Sequence, residues 1–335
     1  MALSSVIGQT YAKSRLGTLF SGDPGHAYVF TGPVGIGKKK LAREVAQALL
    51  CGSATSDGGC GQCPDCIYFR EGTHPDYREL FAASGDKNIR VAEVRSRICG
   101  DVSIYPQISR RKIYLIDGDG LNEEGQNALL KTLEEPPPYA VFLLVVTDAA
   151  KLLATIVSRS TVIALSPNRT EEIIEILRRS SDVSEEDAKF FARYANGIPG
   201  QALFLAASPW FSELREETLE ILLAIPGNSR TWLLTEGYTF FDAGKDHIDE
   251  IFMIFALALR DMAFLCREPE SDALLNTDKK DKISHIIRRH RPDILSIHRA
   301  SCAVTTASKC LRANCTFEST ICRMLLSIHK ELTNA

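Results

Sequence analysis

The sequence predicts an α/β fold, with a parallel sheet in the first half of the chain and only helices in the second. The segment 26–50 reads as a strand, a glycine-rich loop and a helix, and further buried strands are predicted at 112–116 and 140–147. Beyond residue 166 the apolar residues recur at helical spacing. Strands that alternate with helices form parallel sheets whose two faces are both covered by helices.

Length, charge and apolar content limit the classes of function. The chain has 335 residues, enough for about two or three domains, and a formal net charge of −3. Without an overall positive charge, strong binding to nucleic acid is not implied, although a local basic patch stays open. The longest apolar run, 140–146, is too short to span a bilayer, and the first residues lack the apolar core of a signal peptide. We therefore expect a cytoplasmic protein without membrane contact.

The loop after the first strand has the pattern G-x-x-x-x-G-K of phosphate-binding loops. Gly32, Gly35 and Gly37 allow the backbone to approach a phosphate closely, and the side chain of Lys38 can reach the terminal phosphates. The helix that follows would direct its amino terminus at the same anion. The Ser or Thr whose hydroxyl binds magnesium is replaced by Lys39. The loop therefore predicts a nucleotide site that lacks one of its metal ligands.

Four of the ten cysteines form a tight group directly after this helix. Their spacing is C-x8-C-x2-C-x2-C, and they are Cys51, Cys60, Cys63 and Cys66. Closely spaced thiolates suit tetrahedral zinc, and four of them fill its coordination shell, so the ion would be structural. The alternative is four free thiols on a loop, and a zinc deaminase is disfavoured because Ser53 stands where that chemistry needs a Glu. We expect a zinc module at residues 51–66, with His74 outside the ligand set.

The ends of the next two strands carry further candidates for nucleotide chemistry. Asp117 ends the strand 112–116, at the position where an ATPase with a phosphate-binding loop holds the magnesium shell. The next residue, usually an acid that polarises the attacking water, is Gly118, and Asp119 is expected only to start a turn. Thr147, at the end of the third strand, is a further candidate for the nucleotide site. For both Asp117 and Thr147 a purely structural role stays open.

The segments around these strands resemble a known family. The stretches "NALLKTLEEPP" (127–137) and "TD…KLLATIVSRS" (147–160) are similar to the AAA+ core of bacterial clamp-loader subunits of DNA polymerase III. The stretch "VIGQ" (6–9) resembles the segment of that family that lies near the nucleotide, and the cysteine group resembles its zinc module. The resemblance is dense over about the first 200 residues and thin afterwards.

This resemblance implies an α/β P-loop AAA+ domain with an inserted zinc module, followed by a helical lid and an all-α collar domain. We expect the AAA+ domain at 1–165 with its zinc module at 51–66, the lid at 166–207 and the collar at 208–335. In this family the subunits associate through the collar, so the expected assembly is a hetero-oligomer. The expected partners are gamma/tau and delta subunits and, through the complex, the sliding clamp and primer–template DNA.

Departures from the family pattern favour its delta-prime branch over the gamma/tau motor. The motor keeps a hydroxyl after the loop lysine, an acid beside the strand-end Asp and an Arg in its second sensor. This chain has Lys39, Gly118 and Gly200 at those positions. The resemblance therefore implies a subunit that helps to open and load the clamp without hydrolysing ATP. An ATP-hydrolysing gamma/tau-type subunit or another active AAA+ ATPase is the alternative, and whether a nucleotide still binds stays open.

Arg159 lies in "SRS", where the family carries its arginine finger. A guanidinium group is always charged and can bind two phosphate oxygens, so it can stabilise charge that develops on a transferred phosphoryl group. The resemblance implies that Arg159 acts in trans on ATP bound by a neighbouring gamma/tau subunit, with Ser158 and Ser160 fixing the turn. The alternative is an arginine that only holds the turn through hydrogen bonds to backbone carbonyls.

Overall fold

A computed structural model of the chain describes residues 3–17, 24–83, 86, 88–269 and 274–333. The contacts between residues divide the chain into two compact units. The first unit comprises residues 1–180 and 195–203, and the second comprises residues 181–194 and 204–335. The three domains expected from the sequence, at 1–165, 166–207 and 208–335, stay a prediction.

The first unit is built on a parallel sheet, which confirms the predicted α/β class. Its strands are β1 (Ala27–Thr31), β2 (Tyr77–Leu80), β3 (Lys112–Asp117), β4 (Ala140–Val146) and β5 (Thr161–Ala164). They lie in the order β2-β3-β4-β1-β5, and each neighbouring pair is parallel. The strands predicted at 112–116 and 140–147 are β3 and β4, each within one residue of the predicted end.

Helices cover both faces of this sheet, with residues of α1 and α2 in the core of one face and residues of α4, α5 and α6 in the core of the other. The helices of the first unit are α1 (Thr10–Gly17), α2 (Lys38–Leu50), α3 (Pro64–Glu71), α4 (Val91–Val94), α5 (Glu123–Glu134), α6 (Ala154–Val157) and α7 (Thr170–Ser180). A π-helical turn, Arg95–Cys99, continues α4. Of the next two helices, α8 (Glu185–Tyr194) lies in the second unit, and α9 (Pro199–Ala206) begins in the first unit and ends in the second.

Two apolar cores, one on each face of the sheet, hold the first unit together. Successive residues of β1 point to opposite faces, so Phe30 lies in the core that Leu41 of α2 covers, whereas Val29 lies in the other. In that second core the rings of Tyr114 on β3 and Phe142 on β4 are stacked, with their centres 5.2 Å apart. Burial on both faces explains why these strands are almost continuously apolar.

The parallel topology brings the carboxyl ends of β1, β3 and β4 to one edge of the sheet. Gly32 follows β1, Asp117 ends β3, and Thr147 follows β4. In open parallel sheets, ligands bind beyond this edge. The fold thus gathers the residues that the sequence predicts for nucleotide binding. Arg159 precedes β5 and therefore lies at the opposite edge.

The described part of the second unit is made of helices and their connections. Besides α8 they are α10 (Pro209–Ala224), α11 (Arg230–Trp232), α12 (Tyr238–Ala243), α13 (Ile248–Arg267), α14 (Lys280–His290), α15 (Ile294–Arg312) and α16 (Phe317–Thr333). The apolar helix α13 includes a buried Asp261, which accepts hydrogen bonds from the backbone N–H groups of Leu275 (3.0 Å) and Asn276 (2.8 Å). Among the described residues, none of the helices combines the length and the apolar character that a bilayer crossing requires.

Candidate nucleotide site and metal centre

Glycines hold the turn between β1 and α2 in the left-handed region of backbone conformation. Gly35 has φ 82° and Gly37 has φ 102°, values that residues with a side chain adopt only at a cost in free energy. Gly37 directly precedes α2, so the amino terminus of that helix opens onto the loop. The loop therefore has a backbone conformation that depends on the glycines of the predicted pattern.

The ammonium group of Lys38 is held by the loop itself. Its Nζ donates to the carbonyl oxygens of Gly32 (2.6 Å) and Pro33 (3.0 Å). Burial lowers the pKa of Lys38, and the nearby carboxylates of Asp119 and Asp117 partly oppose this shift. A phosphate in the loop would therefore have to draw the ammonium away from these carbonyl oxygens.

Gly200, at the start of α9, lies directly against the loop. Its N–H donates to the carbonyl oxygen of Gly35 at 2.9 Å. A Cβ atom at position 200 would lie 2.8 Å from both the Cα and the carbonyl oxygen of Gly35, closer than real Cβ atoms come to backbone. The sequence identified this position by its missing arginine. The structure adds that no side chain fits there while the loop keeps this conformation.

Lys39 directs its charge toward the edge strand of the sheet. Its Nζ lies 3.5 Å from Glu79 Oε2 and 3.5 Å from the ring centre of Phe81. Both carboxylate oxygens of Glu79 also bind Arg43, at 2.5 and 2.8 Å. Magnesium binds oxygen ligands, and an ammonium group offers none. Position 39 thus supplies a paired cation where a metal-binding hydroxyl is expected.

The end of β3 leaves little room for an acidic residue after Asp117. The N–H of Gly118 donates to the carbonyl oxygen of Val145 at 2.8 Å. A Cβ atom at position 118 would lie 3.2 Å from that oxygen and 3.3 Å from Cβ of Val146, so its neighbours would have to move by a few tenths of an ångström. Burial raises the pKa of Asp117, whose carboxylate accepts a hydrogen bond from the N–H of Asp119 at 3.2 Å. The position next to Asp117 is therefore both uncharged and sterically tight.

Asp119 makes contacts that the sequence did not predict. Its carboxylate accepts hydrogen bonds from the N–H (2.8 Å) and the hydroxyl (2.7 Å) of Thr147, and it pairs with Lys151 Nζ at 2.9 Å. Although burial acts to raise the pKa of Asp119, these contacts hold it below its ordinary value. The expectation that Asp119 only starts a turn is therefore incomplete. Asn122 caps α5 by accepting from the N–H of Gly125, and Asp119 joins the ends of β3 and β4.

Arg159 lies on the predicted turn, between α6 and β5. Its Nη1 donates to the carbonyl oxygen of Thr155 at 3.0 Å, and its Nη2 lies 2.9 Å from Glu134 Oε1. The hydroxyls of Ser158 and Ser160 donate to backbone carbonyl oxygens of the preceding turn, at 3.1 and 2.8 Å. The backbone contact expected of an arginine that holds the turn is thus present. Even so, 37% of the side chain is exposed.

The four cysteines of the predicted zinc module come together. The Sγ atoms of Cys51, Cys60, Cys63 and Cys66 all lie within 4.8 Å of one another, and those of Cys51 and Cys63 are 3.7 Å apart. Four sulfur ligands at about 2.3 Å from a tetrahedral zinc ion would be about 3.8 Å from each other. The backbone N–H groups of Ser53 and Cys60 point at Cys51 Sγ, at 3.4 and 3.3 Å. The donor set and its spacing therefore fit a tetrahedral metal ion.

Two helix ends hold this cysteine cluster. Cys51 follows the last residue of α2, and Cys63 directly precedes α3, in which Cys66 is buried. Burial raises the pKa of Cys66 to about 12, so a bound cation is needed to keep this thiol ionised at neutral pH. His74 lies outside the cluster, and its Nδ1 accepts a hydrogen bond from the N–H of Asp76 at 3.0 Å.

Comparison with known proteins finds relatives among the subunits of DNA polymerase III. The family model described as "DNA polymerase III, delta subunit" matches residues 9–169. The gamma subunit of DNA polymerase III from Buchnera aphidicola subsp. Schizaphis graminum is 33% identical over 245 residues, which cover 70% of this chain and 66% of that protein. The delta' subunit from Pseudomonas aeruginosa is 43% identical over 135 residues, 40% of this chain and 41% of that protein. The chain thus spans less than two thirds of the length of either relative.

Among solved structures, a DNA polymerase III gamma subunit-related protein from Thermotoga maritima matches most of the chain. It is 19% identical, and the match covers 96% of this chain and 99% of that one. The TM-score is 0.41.

Proposed function

We propose that the chain is a clamp-loader subunit of DNA polymerase III of the non-hydrolysing delta-prime type, on the basis of the match of residues 9–169 to the family model of the delta subunit. In this proposal it helps to open the sliding clamp and load it onto primer–template DNA, with gamma/tau and delta subunits as partners. The observation that carries the proposal is Lys39, whose ammonium replaces the magnesium-binding hydroxyl and pairs with Glu79.

Two further features support a subunit that does not hydrolyse ATP. Gly118 replaces the acid that positions the attacking water, and the nearby carboxylate of Asp119 is engaged by Thr147 and Lys151. A carboxylate that is already bound by a hydroxyl and an ammonium group is poorly available to a water molecule. The predicted nucleotide residues would then form a degenerate site, in which nucleotide is absent or stays unhydrolysed: Gly32, Gly35, Gly37, Lys38, Asp117 and Thr147.

An ATP-hydrolysing subunit of the gamma/tau type is the second candidate. One relative is named as a gamma subunit, and Lys38 and Asp117 keep their positions in the loop and at the end of β3. Against this candidate, hydrolysis requires a magnesium ligand at position 39 and an acidic neighbour of Asp117. The ATPase activity of the chain alone therefore separates the two candidates.

The cysteine cluster is proposed to hold a structural zinc ion. Four thiolates complete a tetrahedral shell and leave no open position at which a water molecule could be activated. The segment 52–63, between α2 and α3, is mostly exposed and has little apolar core of its own. A metal that joins Cys51 to Cys63 and Cys66 would hold this segment in place.

Arg159 is proposed to act on ATP bound by a neighbouring gamma/tau subunit. The parallel strands β1 and β5 pair Tyr28 with Thr161 at one end and Thr31 with Ala164 at the other. Arg159 precedes β5, whereas this chain's own phosphate loop follows β1, so the strands separate the two along their length. With about 3.3 Å per residue, the separation is about 15 Å or more, beyond the reach of an arginine side chain. This geometry favours an action in trans over one on the chain's own loop.

The ATPase activity of the purified chain alone is the first test. We expect no turnover above background, because magnesium and the attacking water both lack their usual protein partners. Lys39→Thr alone should not restore activity, since Gly118 would still lack a carboxylate. Turnover of even a few molecules per minute that disappears in Lys38→Ala would identify a motor subunit instead.

The second test measures the clamp loader reconstituted from this chain with gamma/tau and delta subunits. Arg159→Ala should leave the complex assembled but lower its DNA- and clamp-stimulated ATPase activity, together with clamp loading. A trans arginine finger contributes a factor of about 10³ or more at its own site, and other sites in the complex should make the total drop partial. If the Arg159→Ala complex hydrolyses ATP and loads clamps at the normal rate, the trans role is wrong.

A further inference from the structure

The guanidinium group of Arg159 is held from two sides. Its Nη2 lies 2.9 Å from Glu134 Oε1 at the last residue of α5, and its Nη1 donates to the carbonyl oxygen of Thr155 in α6 at 3.0 Å. Because the two contacts use different nitrogen atoms, together they restrict both the position and the plane of the group. A guanidinium has five N–H donors, so these two contacts leave donors for a phosphoryl group.

The position of Glu134 is electrostatically unfavourable for the helix that carries it. It is the last residue of α5, where the exposed backbone carbonyls already carry partial negative charge. Its side chain is 46% exposed, that of Arg159 is 37% exposed, and ion pairs between exposed groups add little to stability. The contact is therefore poorly explained by its contribution to folding, and its main physical effect is on the orientation of Arg159.

The next residue provides a natural comparison. Glu135 is also exposed and also lies at the end of α5, but its carboxylate forms no ion pair within the described part of the chain. Two adjacent acids at one helix end thus differ in their relation to Arg159. A substitution at position 135 changes the charge of this helix end in the same way without removing a contact of the guanidinium.

We infer that Glu134 is a positioning residue for Arg159. An exposed arginine samples many rotamers, and ordering it in the transition state opposes its action on a phosphoryl group. Glu134 and the carbonyl oxygen of Thr155 restrict these rotamers before Arg159 contacts the ATP of the neighbouring subunit. This inference rests on the trans role proposed above for Arg159. It adds a second residue of this chain on which hydrolysis by the neighbouring subunit depends.

The test uses a clamp loader in which only this chain supplies a finger. The complex is reconstituted with gamma/tau protein whose own arginine finger has been replaced by alanine, so that stimulated hydrolysis depends on Arg159. Glu134→Ala should lower kcat by about twofold to fivefold, the range that the loss of an exposed ion pair allows. The KM for ATP should not change, because the finger acts in the transition state. Glu134→Gln keeps an oxygen that accepts from Nη2 and should retain most of the rate, and the control Glu135→Ala should retain all of it.

Arg159→Ala in the same complex separates a failure of this inference from a failure of the proposed function. If Arg159→Ala leaves the stimulated rate unchanged, the trans role is wrong, and the positioning role falls with it. If Arg159→Ala abolishes the rate while Glu134→Ala leaves it unchanged or raises it, the trans role stands and the positioning role is wrong. Glu134→Ala added to Arg159→Ala should have no further effect. If both Glu134 variants lose assembly or melt earlier in proportion to their loss of rate, the contact is structural and the inference is overturned.

Discussion

Asp119 joins the ends of β3 and β4 beside the phosphate loop. Its carboxylate binds the hydroxyl of Thr147 and the ammonium of Lys151, at 2.7 and 2.9 Å. Asp119 acts to raise the pKa of Lys38 and Lys151 acts to lower it, so both groups lie within electrostatic reach of the loop lysine. At the scale of single residues, this network therefore contributes both to the stability of the sheet edge and to the charge balance of the candidate nucleotide site.

Asp119→Asn should lower the free energy of unfolding of the first unit by about 1 kcal/mol at neutral pH, because Lys151 loses a charged partner. The contacts of Asp119 hold its folded-state pKa below the ordinary value. The charge therefore stabilises the fold above the unfolded pKa of about 3.9, and this effect is lost as the pH falls through the folded pKa. In urea unfolding followed by circular dichroism, the difference between the protein and the variant should be largest at neutral pH and smaller near pH 3. A difference that is constant or grows toward acid pH would contradict this assignment.

Single residues were predictable where a motif fixes what belongs at each position. The loss of the expected functional groups at positions 39 and 118 could be inferred from the sequence. The loop pattern specifies a hydroxyl where Lys39 stands, and an acid is expected after the strand-end Asp, where Gly118 stands. The contacts of Asp119 could not be predicted, because its partners Thr147 and Lys151 lie 28 and 32 residues further along the chain. Only the adjacency of β3 and β4 brings them together. The sequence pattern that could have suggested these contacts is an aspartate, Asp119, two residues beyond the end of one strand, together with a threonine, Thr147, at the end of another.

At the scale of elements, the loop of the cysteine cluster also holds the amino-terminal segment of the chain. The carboxylate of Asp57 accepts hydrogen bonds from the N–H (3.1 Å) and the hydroxyl (2.9 Å) of Ser4. The 3₁₀ turn Leu3–Ser5 leads to Gln9, whose side-chain amide exchanges two hydrogen bonds with the backbone of Ser166, at 2.7 and 3.1 Å. The loop of the cysteine cluster, the amino-terminal segment and the segment after β5 are thus linked by side-chain hydrogen bonds.

Asp57→Ala should loosen the 3₁₀ turn Leu3–Ser5 at Ser4 without unfolding the sheet, while the backbone carbonyl of residue 57 still accepts a hydrogen bond from the N–H of Leu3. The variant removes both acceptors of Ser4, and hydrogen bonds to a charged group at an exposed position contribute about 1 kcal/mol. The amide of Ser4 should then exchange with solvent about fivefold faster, while amides of β3 and β4 stay protected. Hydrogen exchange followed by NMR measures both. Ser56→Ala, a change at the preceding exposed residue, is the control, and equal effects of the two variants would contradict the role of Asp57.

Elements were predictable from the sequence where burial is complete. The strands β3 and β4 are apolar throughout because helices cover them on both faces. The edge strand β2 is not predictable in this way, because its sequence, YREL, carries charged residues and only Leu80 is fully buried. Arg97 Nη2 donates to the carbonyl oxygen of Glu79 in this strand at 3.1 Å, so a side chain covers part of its open edge. A half-buried strand of four residues has no distinctive periodicity.

At the scale of the whole molecule, the alternation of strands and helices predicted the class of the sheet but not its strand order. The first strand, β1, lies between β4 and β5, which come more than 100 residues later in the chain. Local patterns do not encode such pairing, because it depends on which apolar faces pack together. The position of residues 195–203 was likewise not predictable. They belong to the first unit, where the N–H of Gly200 donates a hydrogen bond to the carbonyl oxygen of Gly35. No local pattern in this segment indicates that contact.

The two units should differ in their dependence on a metal. All four cysteines of the cluster belong to the first unit, at residues 51–66. The second unit has buried helices of its own, such as α13 and α16, whose apolar residues need no ligand to pack. Metal binding stabilises the segment that it orders, because the site does not exist in the unfolded chain. Loss of the metal should therefore act on the first unit alone.

We expect elemental analysis of protein purified without chelator to find one zinc ion per chain, and Cys63→Ser to reduce this to nearly none, since three thiolates bind zinc far more weakly than four. In the variant, hydrogen exchange measured by mass spectrometry should become faster in segment 52–63, in α3 and in the turn Leu3–Ser5 that Asp57 holds. Exchange in α13 and α16 should not change, because their cores contain no ligand of the cluster.

The control is Cys315→Ser, at an exposed cysteine of the second unit, which should keep the zinc and the exchange pattern. A native protein without metal would show that the cysteines are free thiols, and a Cys63→Ser variant that loosens both units equally would show that the cluster stabilises more than the first unit.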